Sequence, residues 1–335
     1  MGPFARNQIN ATVVITGGSA GLGRALAHRF AEAGARVGII ARDAQALASL
    51  KDEFASSGVT VHIEDCDVAD AAAVFMAADE MERALGPINI WINCAMLTVF
   101  SPFERITPEE FRRVTEATYL GYVHGTMAAL RRMKPRNSGT ILQIGSALAY
   151  RAIPLQSAYC GAKHAIRGFT NSLRCELLRD RSSIKLTMVQ LPAMNTPQFD
   201  WARTHMGREP RPVAPVYQPE AIAEAVFRAA QEGRREYWLG RATIAAILGD
   251  MAAPAFLDRF LARHAYVAQE RAVAVGPTRC DNLFAPITEL HRIHGSFDAE
   301  AAARVFMWPE LRIRAAAAGA AIILVLVILW LLAEL

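Results

Sequence analysis

Residues Ala11 to Thr16 (ATVVIT) form an unbroken apolar, β-branched run, and Gly17-Gly18-Ser19-Ala20-Gly21-Leu22-Gly23 follows at once. A helical pattern, RALAHRFAEAGA, begins where the glycines end. The run predicts a strand covered on both faces. Strand, glycine turn and helix in that order leave few folds open. The glycines permit a tight turn and close backbone approach. The helix start presents free N–H groups and the positive end of its dipole, a ready cradle for a pyrophosphate.

The same alternation continues along the chain. Strands are expected at Val37 to Ala41, Val59 to Ile63, Ile88 to Ile92, Thr140 to Ile144, Ile184 to Gln190 and Tyr237 to Gly240, with helical patterns between them. A long amphipathic helix is expected over Glu104 to Met133, entered through Thr107-Pro108-Glu109-Glu110, a capping Thr with Pro and acids in the first turn. Alternating strands and helices imply a parallel, doubly wound α/β sheet. The second strand ends in Ala41-Arg42. An acid there would grip a ribose 2′-hydroxyl and repel a 2′-phosphate, whereas Arg42 can pair with that phosphate, so NADP(H) is expected over NAD(H). Asp67, after the third strand, is placed to reach the adenine amino group or to cap the next helix.

The chemistry converges on SALAYRAIPLQSAYCGAK, Ser146 to Lys163. On a helix Tyr159 and Lys163 project from one face. Neither is a strong base at neutral pH, with reference pKa values of about 10 and 10.4. An ammonium beside a phenol favours the phenolate and lets the tyrosine exchange a proton. Ser146, directly after an apolar strand, can hold a carbonyl oxygen while the phenol protonates it.

These residues together resemble the short-chain dehydrogenase/reductase family, over roughly residues 9 to 240. The family's TGxxxGxG stands as Thr16, Gly17, Gly21 and Gly23; its Asn-Asn-Ala-Gly signature as Asn93-Cys94-Ala95-Met96; its Ser…YxxxK as Ser146, Tyr159 and Lys163; its Pro-Gly stretch as Pro192-Ala193, with Thr196 beyond. The resemblance implies a Rossmann fold in which Tyr159 is the general acid/base, Lys163 holds the nicotinamide ribose and Ser146 orients the substrate oxygen, hydride passing between nicotinamide and carbinol carbon. It implies cofactor contacts from Thr16, Gly17, Ser19, Gly21, Leu22, Gly23, Arg42, Asp67, Val68, Asn93, Ala95, Tyr159, Lys163, Pro192 and Thr196. Thr118 stands where most relatives place a catalytic asparagine that anchors a relay water, and Met96 and Ala193 replace glycines. Those departures motivate an alternative, a membrane-anchored NADPH-binding sensor or scaffold with weak turnover. Relatives pair the long helix and the Tyr/Lys helix between subunits, which implies a homodimer or homotetramer.

Residues 195 to 219 are rich in proline and aromatics and match the mobile lid of relatives, which suggests a lipophilic substrate. The chain divides into a catalytic domain (1–240), a helical and irregular extension (241–310) and a C-terminal anchor (311–335). In the extension, His291 and His294 lack a third metal ligand and read as residues of a surface loop, with no metal expected; residues 271–277 read as a flexing connector. Ala315 to Ala333 (AAAAGAAIILVLVILWLLA) is uncharged and of roughly the 20 residues that a membrane span requires. Arg312 and Arg314 before it place the enzyme on the cytoplasmic side, with Glu334 and Leu335 across the bilayer. The formal charge of +4 is mild and dispersed, without the basic run or aromatic platform of a nucleic-acid binder. Five cysteines without metal-ligand spacing read as reduced thiols, and the N-terminus reads as lacking a signal peptide.

Overall fold

Strand β1 (Thr12–Thr16) is wholly buried, and the rest of the sheet is assembled on either side of it. A computed structural model describes residues 9–55 and 58–333, with the backbone alone at 321, 324 and 326–333. The principal elements before the mid-chain are α1 (Gly21–Glu32), β2 (Arg36–Ala41), α2 (Ala44–Ala55), β3 (Val61–Asp65), α3 (Ala71–Leu85), β4 (Ile88–Asn93), α4 (Pro108–Val114) and α5 (Gly121–Met133). After them come β5 (Thr140–Ile144), α6 (Ser157–Arg179), β6 (Lys185–Gln190), α7 (Pro219–Glu232) and β7 (Glu236–Leu239). The C-terminal part holds α8 (Arg241–Ala252), α9 (Pro254–Ala268), β8 (Met307–Pro309) and α10 (Glu310–Ala333).

The main sheet runs β8-β7-β6-β5-β4-β1-β2-β3. All pairs from β3 to β7 are parallel, and only β8 runs antiparallel, pairing Trp308 with Trp238. The strand order reverses between β1 and β4, where a crevice opens outside the carboxyl ends of the strands. Thr16 pairs with Ile40 on one side and Asn93 on the other, so the ends of β1, β2 and β4 lie abreast. This is the expected doubly wound α/β fold. Helices α1 and α7 cover one face through Leu22, Leu26, Phe30, Ile222 and Phe227, and α3, α5 and α6 cover the other through Val74, Met81, Ala128, Met133 and Leu177. Each fully buried Leu or Phe of that kind, such as Leu26 and Phe30, contributes about 1.5–3 kcal/mol.

The expected long helix is not one regular helix. It starts at Pro108 behind a Thr107–Glu110 capping box, then widens into a π-helical turn over Thr115–Leu120 before α5. The cause is local: the Thr118 hydroxyl accepts from Leu97 N–H and donates to Leu97 C=O, both at 2.9 Å, and pins the turn to the loop after β4. Such turns occur often at functional sites.

The extension is built onto the core. It returns β8 to the main sheet, and Glu270–Ala274, in the stretch expected to flex, pairs antiparallel with Arg208–Pro210. Among the described residues no helix is long and apolar enough to cross a membrane, so the expected spanning helix is not found there. The side chains of 326–333, on which that expectation chiefly rests, and Glu334 and Leu335 lie outside the described residues.

Candidate active site

The glycine turn closes on itself so tightly that a side chain has no room. A Cβ on Gly23 would lie 2.1 Å from the Gly17 carbonyl oxygen. Gly17 has φ +71°, and a Cβ there would lie 2.6 Å from Ala95 Cα. Thr16 fastens the other side, its hydroxyl accepting from the backbone N–H of Cys94 (3.1 Å) and Ala95 (3.3 Å). Helix α1 then opens with Ala20 at its N-cap, no side-chain cap and no acid in its first turn. Its positive end therefore faces the crevice without a resident counter-charge.

Ser146 sits just past β5, held by a bond from its N–H to Gln190 Oε1 (2.8 Å). Its hydroxyl accepts from Leu148 N–H (3.1 Å) and stands beside the Tyr159 phenol, on the first turn of α6, whose pKa it draws down. One turn on, Lys163 is buried and donates to Ile144 C=O (2.7 Å) and to the Tyr122 hydroxyl (3.1 Å), its Nζ lying 5.5 Å from the Tyr159 ring centre. Tyr122, on α5, donates in turn to the same Ile144 carbonyl at 2.9 Å. Sequence reasoning missed Tyr122; its only signal is a spacing of four residues from Thr118. The sequence also suggested that Lys163 would draw the phenol pKa down. Burial outweighs that effect. It pushes the Tyr159 phenol well above its ordinary value, the Ser146 hydrogen bond opposing, and brings the Lys163 ammonium down to about 7. The Cys94 thiol, also buried there, is pushed up to about 12 by burial and stays protonated at neutral pH.

One cavity of about 760 Å³ joins the crevice to a greasy recess. Its lining includes Gly17, Ser19, Gly21, Leu22, Gly23, Arg42, Asp67, Val68, Ala95, Ser146, Tyr159, Lys163, Pro192 and Thr196. Three expected site residues stand outside that lining. Thr16 is the backbone tie described above, and the Thr118 hydroxyl is engaged by both the N–H and the C=O of Leu97. Asn93 is fully buried: its amide donates to Gln143 Oε1 (2.9 Å) and Thr126 Oγ1 (3.0 Å) and accepts from Trp91 Nε1 (2.8 Å). It locks β4 to β5 and α5, and Gly125 is what admits it, since a Cβ there would lie 2.2 Å from Asn93 Oδ1.

Two further residues have partners that the sequence did not suggest. Asp67 is paired with Arg113 and accepts from Ala69 N–H, so its carboxylate is engaged beside the adenosine end of the crevice. The Arg42 guanidinium donates to the carbonyls of Asn282 (2.7 Å), Leu283 (3.4 Å) and Phe284 (3.5 Å). His291, expected on a surface loop, is buried in the cavity wall 2.9 Å from Asp43, and burial lowers its pKa. His294 is half-exposed between Glu220 and Asp298. Among the described residues no group of His, Cys, Asp or Glu could hold a metal. The recess beyond Tyr159 is lined by Phe100, Leu148, Ile153, Phe199, Trp201 and Val213, with Leu257, Phe260 and Leu261 from α9. The aromatic stretch 195–219 thus faces the site, with Trp201 and Met206 buried.

A dinucleotide fits this crevice on the chain's own features: a glycine cradle a Cβ would fill, a helix start without a side-chain cap, and an Asn282 Oδ1 buried without a hydrogen-bond partner among the described residues. The comparisons agree. The family model for short chain dehydrogenases matches residues 11–206. The chain is 31% identical over 260 residues to the "uncharacterized oxidoreductase YxnA" of Bacillus subtilis (strain 168), covering 77% of this chain and 73% of that protein. It is 30% identical over 231 residues to the 3-dehydrosphinganine reductase of Danio rerio, covering 67% of this chain and 69% of that one. Among solved structures, a levodione reductase superposes with a TM-score of 0.54 at 28% identity, over 57% of this chain and 74% of its own. With the glycine turn, the Ser146–Tyr159–Lys163 group and a family match over residues 11–206, the chain belongs to the short chain dehydrogenases, oxidoreductases that work on CH–OH groups with a nicotinamide cofactor.

Proposed function

We propose that this chain is an NADP(H)-dependent reductase of a lipophilic ketone or aldehyde. The observation that carries it is the Ser146–Tyr159 pair, set between the glycine-lined crevice and the greasy recess. The nicotinamide, when bound, supplies or takes the hydride. The chain's residues do the rest. Ser146 Oγ orients the substrate oxygen, and the Tyr159 phenol gives it the proton as negative charge develops. Burial keeps that phenol protonated at neutral pH, which suits proton donation to an alkoxide and hence the reductive direction. The Lys163 ammonium, held by Ile144 and Tyr122, then offsets the phenolate left behind. The assembled group favours turnover over the sensor or scaffold reading.

Arg42 supports NADP(H). A guanidinium has five donors, so three carbonyl contacts orient it without exhausting it. Arg42→Ala should raise KM for NADPH by about 10-fold or more, the worth of a charge-assisted contact, and leave KM for NADH nearly unchanged. Steady-state kinetics with both cofactors checks this; a wild-type preference for NADH would sink it.

The recess supports a greasy substrate, and the Danio rerio relative is named for its reduction of 3-dehydrosphinganine. The apolar run 315–333 supports attachment to a membrane with the catalytic part on the cytoplasmic side, and Leu311, Ile322, Ile323 and Val325 are exposed on α10. The full chain should float with phosphatidylcholine vesicles and a chain ending at Glu310 should not; equal flotation argues against the anchor. Pairing through α5 and α6 would give a homodimer or homotetramer, which light scattering in mild detergent tests: monomer alone counts against it.

A further inference from the structure

The segment 281–292 lies beyond the family match, yet it is fastened across the dinucleotide crevice. Arg113 Nε donates to Leu283 C=O (3.1 Å), the Thr288 hydroxyl to Asp43 Oδ2 (2.9 Å), Arg24 to His291 C=O (2.9 Å) and Gly21 N–H to Arg292 C=O (2.9 Å). Arg42 adds its carbonyl contacts at 282–284. Leu283 is fully buried and packs with Leu97, Val114 and Ala117. These fastenings stand at the glycine turn and around the ends of β2 and β3, on the adenosine side of the crevice; others tie the segment to the stretch after β6, Asn282 N–H donating to Trp201 C=O (3.0 Å) and Arg203 to Asp281 (2.9 Å).

Between the fastenings two side chains face inward. Asn282 is 8% exposed and the His291 side chain 9%, and both line the cavity. Asn282 Oδ1 has no hydrogen-bond partner among the described residues. His291 Nε2 stands 2.9 Å from Asp43 Oδ2 and its ring lies beside the Ser19 backbone, but neither ring nitrogen is aligned for a full hydrogen bond among the described residues. Buried acceptors and donors left unmatched are costly and few in folded proteins, and a ligand that matches them recovers that loss. The adenosine half of a dinucleotide brings both kinds of group: N–H and O–H donors on base and ribose, and phosphate oxygens as acceptors.

We propose that residues 281–292 form the outer wall of the adenosine subsite, where Asn282 Oδ1 accepts from an adenosine N–H or O–H and His291 donates to a phosphate or ribose oxygen. This rests on the crevice being an NADP(H) site, and the test separates the two. The full chain is titrated calorimetrically with adenosine 2′,5′-bisphosphate and, separately, with reduced nicotinamide mononucleotide. Hydrogen exchange of the 281–292 amides is followed with and without the bisphosphate. Asn282→Ala and His291→Ala should each weaken the bisphosphate about 10-fold, the worth of one buried hydrogen bond, and leave the mononucleotide unchanged. In the wild type, saturating bisphosphate should slow exchange across 281–292. Wild-type bisphosphate affinity in both variants, equal loss of both fragments, or unchanged exchange in the wild type would overturn the wall. Failure of the wild type to bind NADPH at all would instead remove the reading beneath it.

Discussion

Tyr159→Phe should lower NADPH-dependent turnover by about 10²–10⁴-fold, the usual worth of a positioned general acid, while the fold and cofactor binding persist. The Tyr159 side chain is half-buried and faces the Ser146 hydroxyl. Phenylalanine fills the same volume, so the substitution removes one proton donor and leaves the packing of Cys94 and Lys163 around it. The split matters: a KM for NADPH close to wild type with a collapsed kcat assigns the phenol to the chemical step. Residual turnover above a tenth of wild type would mean that another group delivers the proton.

Lys163→Met should cost both activity and a pH response. The wild-type ammonium is buried and its pKa is lowered to about 7. In the unfolded chain a lysine loses its proton only near 10.4. Between about pH 7 and 10.4 the unfolded state therefore binds more protons than the folded one, and stability referable to this group rises with pH across that window. Below pH 7 the burial penalty is present in full. Methionine carries no such penalty, so Lys163→Met should be stabilised most, relative to wild type, at neutral pH and below, with the advantage shrinking towards pH 10. Denaturant melts of both proteins over that range check the sign. Turnover should fall on the order of 100-fold or more, because the phenolate left by Tyr159 loses its counter-charge.

The seven parallel strands were legible because largely apolar runs alternate with helical patterns, and their ends fall within about two residues of expectation; the antiparallel β8 was not foreseen. The Gly17–Gly23 turn was legible for a different reason: a Cβ on Gly23 would lie 2.1 Å from the Gly17 carbonyl oxygen, so only glycine fits and the residue type itself carries the geometry. Asn93 and Thr118 show the limit. Both stand at signature positions, but their distant partners, Gln143 and Thr126 for one and the Leu97 backbone for the other, are supplied by elements that only folding brings together. The pairing of Asp67 with Arg113 was not legible either, because the two are 46 residues apart in the chain. The segment 281–292 was the least legible. It has no periodicity, and most of its fastenings are backbone carbonyls, which any residue supplies; the burial of the His291 side chain follows from them and not from its neighbours in sequence.

The central claim is hydride delivery to a greasy carbonyl at Tyr159. It is tested most directly by incubating the full chain in mild detergent with NADPH carrying deuterium at C4, against a panel of long-chain ketones and aldehydes, and locating the label by mass spectrometry. Deuterium on the carbinol carbon of a product alcohol, formed by the wild type and not by Tyr159→Phe, is the predicted result. Tight NADPH binding with no labelled alcohol from any substrate would contradict it and return the weight to a binding-only role.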